Sequence, residues 1–288
     1  MAYRQRMRLS RLAPLTGLLA ASLALAMTAT THQASAPDLA LAHGTPGTAN
    51  PPVNTAGEFK WGHATWNDEF HGGLGGAWNT SHRAPTIQTQ HGMLTLNGPG
   101  GTGGNTLWAS FPNDHAVGRW DFSMRTRQYE HSGTPYTVVL ELVPSDKSRL
   151  DCGRQNIVIG KFPIGSPRVG FDLRNAGKSF TASTNHGVNT EGFHTYALEV
   201  TKTRISWFME GKVLRTERRP EALSGETFRI KVFLTAAPKG TRTNRGRVQF
   251  DWMRYYTLAR PNAKSVAAPQ PEMRDFVTTC GGTPAARP

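Results

Sequence analysis

Only two cysteines, Cys152 and Cys280, occur among the 288 residues of this chain. That scarcity excludes a disulfide-dense scaffold and a thiolate zinc cluster, which need several sulfur ligands at short spacing. Ten histidines are present, but none shows a ligand pattern such as H-E-x-x-H, so a zinc hydrolase of that type is excluded as well. No stretch beyond the first thirty residues is apolar over the roughly 20 residues a bilayer span needs. There is no convincing amphipathic helix of three or more turns, which argues against a helical bundle. No repeat of 20 to 50 residues appears, so a propeller or solenoid is not expected. Acids are the scarcer charge, 20 against 33 Lys and Arg, yet the bases do not interleave with aromatics in a nucleic-acid motif.

At the N-terminus the segment MAYRQRMRLSR holds four arginines and no acid. The apolar LAPLTGLLAASLALAM follows, and Ala34-Ser35-Ala36 forms an A-x-A site; Ala40-Leu41-Ala42 is a second. This order predicts a secretory signal peptide over 1–36, with cleavage at Ala36 or Ala42, a secreted protein, and no transmembrane segment after its removal. Cleavage at Ala36 takes four arginines from a net charge of +13 and leaves +9, so the mature chain stays basic. Such a chain is drawn to anionic surfaces, acidic cell-envelope polymers and acidic glycans among them, by attraction that salt screens. In an oxidising compartment the even cysteine count predicts a Cys152–Cys280 disulfide, with two buried free thiols as the alternative.

Residues 37–57 are rich in Pro, Gly, Ala and Thr and read as a flexible linker. Residues 260–288 share that character, interrupted by Phe276 and Cys280, and read as an extended tail tethered at one point. Between them, 58–259 alternates apolar and polar residues in short runs: RWDFSMRTRQ, YTVVLELVP, QNIVIGKF, HTYALEVT, FRIKVFLT and RVQFDWMRYYTL. Each is bounded by Gly, Pro, Asn or Asp, the pattern of antiparallel strands. In RISWFMEGKVLRTE, Ile205, Trp207 and Met209 fall on one face and Ser206 and Phe208 on the other, ahead of a tight turn at Glu210-Gly211. Many strands with no helices between them predict an all-β sandwich or jelly roll.

Four stretches carry a resemblance. ATWNDEFHGGLGGAWN, with Trp78, resembles the opening strand of glycoside hydrolase family 16, the laminarinase and β-glucanase family. HAVGRWDFSMRTR with GTPYTVVLELVP is similar to two strands around that family's cleft, GFHTYALEVTKTRISWFMEGKVLRT to its F-H-x-Y hairpin, and FDWMRYY to its closing strand. The resemblance implies a concanavalin A-like β-jelly-roll sandwich of two antiparallel sheets with a concave cleft.

It also implies a catalytic strand reading E-x-D-x-x-E, often just after Cys-Gly. Double displacement at a sugar needs two carboxylates about 5 to 5.5 Å apart, which one face of a bulged strand supplies. Counted from Cys152-Gly153, the three slots here hold Arg154, Asn156 and Ile159; an unbulged version ends at Val158. Arginine stays protonated and isoleucine has no proton to give, so neither step is available. Glu141 is the fallback carboxylate, expected as an ion-pair partner of Arg154 that would hold its pKa low, with catalysis as the alternative. Asp172 is a further candidate for the cleft, and Asp151 a turn residue.

By the same resemblance Trp207 is a cleft aromatic, or else a core residue between Ile205 and Met209. Tyr136, Glu141, Arg154 and Asn156 are the other expected ligand contacts. Asp251 marks a position where some relatives hold structural Ca²⁺, and no other cofactor is expected. The expected function is a secreted polysaccharide-binding pseudoenzyme, with acidic sugars among the candidate ligands. The alternatives are a glycosidase or transglycosylase using relocated carboxylates, and a basic cell-envelope interaction protein.

Overall fold

The computed structural model describes residues 53–146, 156–175, 177–185, 191–260, 265–266 and 269–276. The expected signal peptide over 1–36, residues 37–52 of the expected linker and both cysteines lie outside the described residues, as do Asp151 and Arg154.

Two large antiparallel sheets account for almost all of the described chain. The first runs β14 (Lys212–Glu217), β13 (Ile205–Met209), β12 (His194–Val200), β7 (Gly118–Gln128), β17 (Gly246–Tyr256), β4 (Met93–Gly98) and β3 (Ile87–Gln90), with β1 (Trp66–Asp68) on the far half of β17. The second runs β18 (Glu272–Asp275), β11 (Lys178–Asn185), β10 (Arg168–Asn175), β9 (Asn156–Pro163), β8 (Thr137–Pro144), β15 (Phe228–Thr235), β6 (Thr106–His115) and β2 (Asn79–Thr80). A two-stranded ribbon joins β5 (Gly101–Thr102) to β16 (Arg242–Thr243). All six runs read from period-2 alternation are strands, and among the described residues helix is confined to α1 (Thr55–Glu58) and a 3-10 turn at Pro220–Ala222. No described helix is long and apolar enough to cross a membrane.

Alternation decides which side chains meet between the sheets. Trp120, Phe122 and Met124 of β7, Ile205, Trp207 and Met209 of β13, and Val138, Leu140 and Leu142 of β8 share one core. The β13–β14 hairpin turns where expected, at Glu210 and Gly211, both with positive φ. The opening motif is knitted by its own side chains: Trp78 Nε1 donates to Asp68 Oδ2 at 2.8 Å, and Phe70 packs on the Trp78 ring.

Both ends are more firmly bound than composition suggested. Residues 53–57, placed in the linker by their Pro/Gly-rich surroundings, belong to the fold: Thr55 and Ala56 are buried, and Thr195 Oγ1 donates to the Val53 carbonyl at 2.7 Å. Phe59 and Trp61 then join Phe208 and Tyr256 in a second apolar cluster, on the outer face of the first sheet. The tail docks at more than one point. Ser265 is buried and receives Ser206 Oγ on its carbonyl at 2.7 Å, and β18 adds an edge strand to β11. Apolar burial on an exposed face and an open strand edge recruit these segments, a demand that only the assembled sheets create.

Candidate functional site

The outer face of the second sheet carries a groove of about 250 Å³. With Val138, Leu140 and Leu142 committed to the core, Thr137, Val139 and Glu141 of β8 point the other way. Val169, Phe171 and Leu173 of β10 leave Asp172 and Arg174 outside in the same manner. β15 contributes Phe233 and Thr235.

β9 breaks the alternation. Val158 pairs with Glu141 and with Asp172, whereas Gly160 pairs with Leu140 and Lys161 with Gly170, so β9 carries one residue more than its neighbours over this stretch. Ile159 and Gly160 both lie toward the core: Ile159 is fully buried there, and a Cβ on Gly160 would sit 3.4 Å from the Tyr196 ring. The side chains left in the groove are Asn156, Val158 and Lys161. Trp207 braces the bulge from beneath, its Nε1 donating to the Val158 carbonyl at 3.0 Å.

Several expected contacts therefore move. Ile159 is a core residue, because the bulge falls at 159–160 and shifts the outward face onto Lys161. Trp207 is completely buried on the facing sheet, which is its core alternative and not a cleft aromatic. Tyr136 is buried too, its hydroxyl donating to the Pro99 carbonyl at 2.9 Å. Glu141, Asn156 and Asp172 do line the groove.

Among the described residues, Glu141 is hydrogen-bonded by Asn156, whose Nδ2 donates to Oε2 at 2.8 Å. The expected ion-pair partner, Arg154, lies outside the described residues; burial pushes the Glu141 pKa up, against the Asn156 hydrogen bond and the charges of Lys231 and Arg174. Burial also raises Asp172, opposed by Arg174, whose Nε lies 3.1 Å from Asp172 Oδ2, and by Lys161. Lys231 stands directly opposite Glu141 on β15, with its Nζ 4.9 Å from the Trp108 ring and 4.5 Å from the Phe233 ring. Arg174 is covered by Phe276 of the tail at 4.3 Å. Among the described residues Asn156 Oδ1 and Asp172 Oδ1 are buried with no hydrogen-bond partner, a demand that a ligand hydroxyl or a water meets.

Lys161, Arg174, Lys231, Phe233 and Trp108 were missed from the sequence. The alternation in FRIKVFLT already put Lys231 and Phe233 on the face opposite Ile230 and Val232, but the residue pattern does not say which strands are neighbours. Burial pushes the Asp251 carboxyl up, Glu69 acts in the same direction, and Arg254, His71 and Arg125 act against it. Among the described residues no set of three or more acidic, His or Cys side chains could hold a metal. A Ca²⁺ at Asp251 would therefore draw most of its six to eight oxygens from backbone carbonyls.

No protein-family model matches the chain, and no curated protein sequence does. Solved structures do resemble it. The laminarinase catalytic domain of Thermotoga maritima MSB8 superposes with a TM-score of 0.58 at 13% identity, over 68% of this chain and 98% of that one. The endo-1,3-β-glucanase (laminarinase) catalytic domain of Thermotoga petrophila RKU-1 gives 0.56 at 12%, over 70% and 98%. The β-glucanase of Bacillus licheniformis gives 0.53 at 14%, over 68% and 99%. The fold is thus the β-glucanase jelly roll, two antiparallel sheets with the groove on the open face of one of them.

Proposed function

We propose that this chain is an exported polysaccharide-binding protein that keeps the groove of a β-glucanase fold without the groups for double displacement. The observation that carries the proposal is the occupancy of β9. Its three groove-facing positions are spaced i, i+2, i+5 around a bulge, the spacing of E-x-D-x-x-E, and they hold Asn156, Val158 and Lys161. On this reading the motif would lie two residues later than the count from Cys152-Gly153, and none of the three positions holds a carboxylate. An amide, an aliphatic group and a lysine do not provide the carboxylate pair that double displacement uses as nucleophile and acid/base. Carboxylate replacement removes the chemistry and leaves the shape, together with Phe233 and Trp108 as apolar surfaces for sugar rings.

Pull-down on insoluble β-glucans and galactans, with reducing-end release measured in parallel, tests this reading. Retention without release is expected. Trp108→Ala, on a partly exposed side chain, should weaken retention about 10- to 30-fold, the effect of truncating an aromatic anchor. Failure to retain any of these glycans would defeat the proposal, and binding abolished by salt but indifferent to sugar competition would assign the protein to the cell envelope through charge alone.

A second reading has one specific observation behind it. Glu141 and Asp172 occupy one cross-strand row with Val158 between them, and burial raises both carboxyls. Two strand spacings put their backbones roughly 10 Å apart, and inverting hydrolysis uses carboxyls about 6.5 to 9.5 Å apart, one of them kept protonated. Reducing-end release with inversion of the anomeric centre, lost on Glu141→Gln, would establish this reading and displace the first. Release unaffected by Glu141→Gln would remove Glu141 from it.

A further inference from the structure

The first sheet has a second groove, of about 460 Å³, on elements that do not contribute to the one described above. Its basic wall is Arg245 and Arg247 around the start of β17 with Tyr129, just after β7, and Arg127 of β7 borders it on the same ring. Arg127 and Arg247 stand directly opposite each other in the β7–β17 register, and Arg125 is opposite Gln249. Three guanidinium carbons gather on one ring, Tyr129, at 5.5 Å for Arg127, 4.9 Å for Arg245 and 5.3 Å for Arg247. Gln88, Gln90 and Asn97 supply amide groups on the opposite wall.

Among the described residues no ion pair joins Arg125, Arg127, Arg245 or Arg247 to a carboxylate. Arg247 Nε is turned to Asn97 Oδ1 at 2.7 Å and Arg125 Nε to Gln249 Oε1 at 3.0 Å, both neutral acceptors. Glu130, the adjacent carboxylate in sequence, lies 3.8 Å from Arg242 instead. Like charges directly opposite on a sheet repel, and Arg125 feels that repulsion from both Arg127 and Arg247. Tyr129 offsets part of it through cation–π contact, and among the described residues the forks of Arg127 and Arg245, both exposed, are left without an anion. A planar guanidinium matches a carboxylate or sulfate with two parallel hydrogen bonds, and the amides opposite suit hydroxyls.

We propose that this Arg127/Arg245/Arg247–Tyr129 groove is a second glycan site, selective for acidic polysaccharide through its carboxylate or sulfate groups. It stands apart from the groove on the second sheet and does not depend on the function assigned there. An acidic chain held here would keep the protein on an anionic matrix while the other groove remains open.

Calorimetric titration of the full mature chain with oligogalacturonate and with a chondroitin sulfate oligosaccharide, at low and high salt, tests the site. A DNA oligonucleotide serves as the competing polyanion, and retention on neutral β-glucan is followed alongside. The double variant Arg127→Gln/Arg245→Gln should bind at least one acidic oligosaccharide about 10- to 100-fold more weakly, the loss of one charge-assisted interaction or more, while β-glucan retention stays as in the wild type. Arg245→Glu alone should act in the same direction. Thermal midpoints of these variants should match or exceed the wild type, because repulsion is relieved. Wild-type protein that binds neither acidic glycan, affinity unchanged in both variants, equal loss in Trp108→Ala, or tighter arginine-dependent binding of DNA would each overturn the proposal.

Discussion

Replacing Glu199 by Ala should lower stability by about 3 to 5 kcal/mol, the range for removing one partner of a buried ion pair. Glu199 and Arg119 are 0% and 2% exposed, joined at 2.6 Å between Oε2 and Nε. The same carboxylate receives Arg204 Nη2 at 2.8 Å and Ser265 Oγ at 2.6 Å on its other oxygen. Arg119 also donates to the carbonyls of Thr257 and Arg260. One acidic side chain thus ties β12, β7, the chain after β17 and the C-terminal segment together. Without it the Arg119 guanidinium stays buried with only carbonyl partners, and Ser265 loses its acceptor. In a domain of some 200 residues this loss corresponds to a fall in thermal midpoint on the order of 10 °C. Differential scanning calorimetry reads it directly. A midpoint within about 2 °C of the wild type would mean that the network is not integral to the fold, since that difference is worth under 1 kcal/mol at this size.

The second large effect is a pH dependence with the unusual sign. Asp121 lies on the outer face of β7 beneath α1, fully buried, and its Oδ2 accepts the Ala56 N–H at 3.1 Å. Burial pushes its carboxyl up to about 7, against the Ala56 hydrogen bond and the Arg254 charge. In the unfolded chain the group titrates near 4. Because the folded pKa is the higher one, the native state holds the proton more tightly. The contribution is complete below about pH 4 and is lost as pH rises toward 7. The gap between the folded and unfolded values is worth about 4 kcal/mol.

Asp121→Asn, which keeps the shape and cannot ionise, should flatten the stability profile between pH 4 and 7. It should also raise the urea midpoint at pH 8, where the wild type carries the full penalty. Parallel profiles for the two proteins would show that Asp121 does not titrate in this window. The linkage also has a local consequence: Asp121 anchors the segment that carries Phe59 and Trp61 onto the first sheet, so proteolytic nicking after Val53 should grow faster as pH rises from 5 to 8 in the wild type but not in the variant.

Most of the architecture was legible in the residues. Period-2 alternation placed β7, β8, β9, β12, β15 and β17, and Glu210-Gly211 marked the β13–β14 turn. The local motifs were enough for a jelly roll, and the comparison with solved structures agrees. The groove was legible only in part. Glu141, Asn156 and Asp172, three of the residues expected at a cleft, line the groove on the second sheet, whereas Tyr136 and Ile159 lie in the core and Trp207 takes its core alternative. Trp207 and Tyr136 are amphipathic rings whose polar atoms found carbonyl partners inside the core, and composition cannot distinguish that outcome from a cleft.

What the sequence determined by itself was periodicity: which side chains along one strand share a face, and where the chain must turn. What only the tertiary structure decided was register. One extra residue at Ile159–Gly160 carried the outward face of β9 to Lys161, because a bulge is set by hydrogen bonding to both neighbours, β8 and β10, and strand sequence alone does not encode it. The same holds for the arginines around Tyr129. They come from two distant runs, each ordinary when read singly, and become a charge cluster only once β7 and β17 lie side by side.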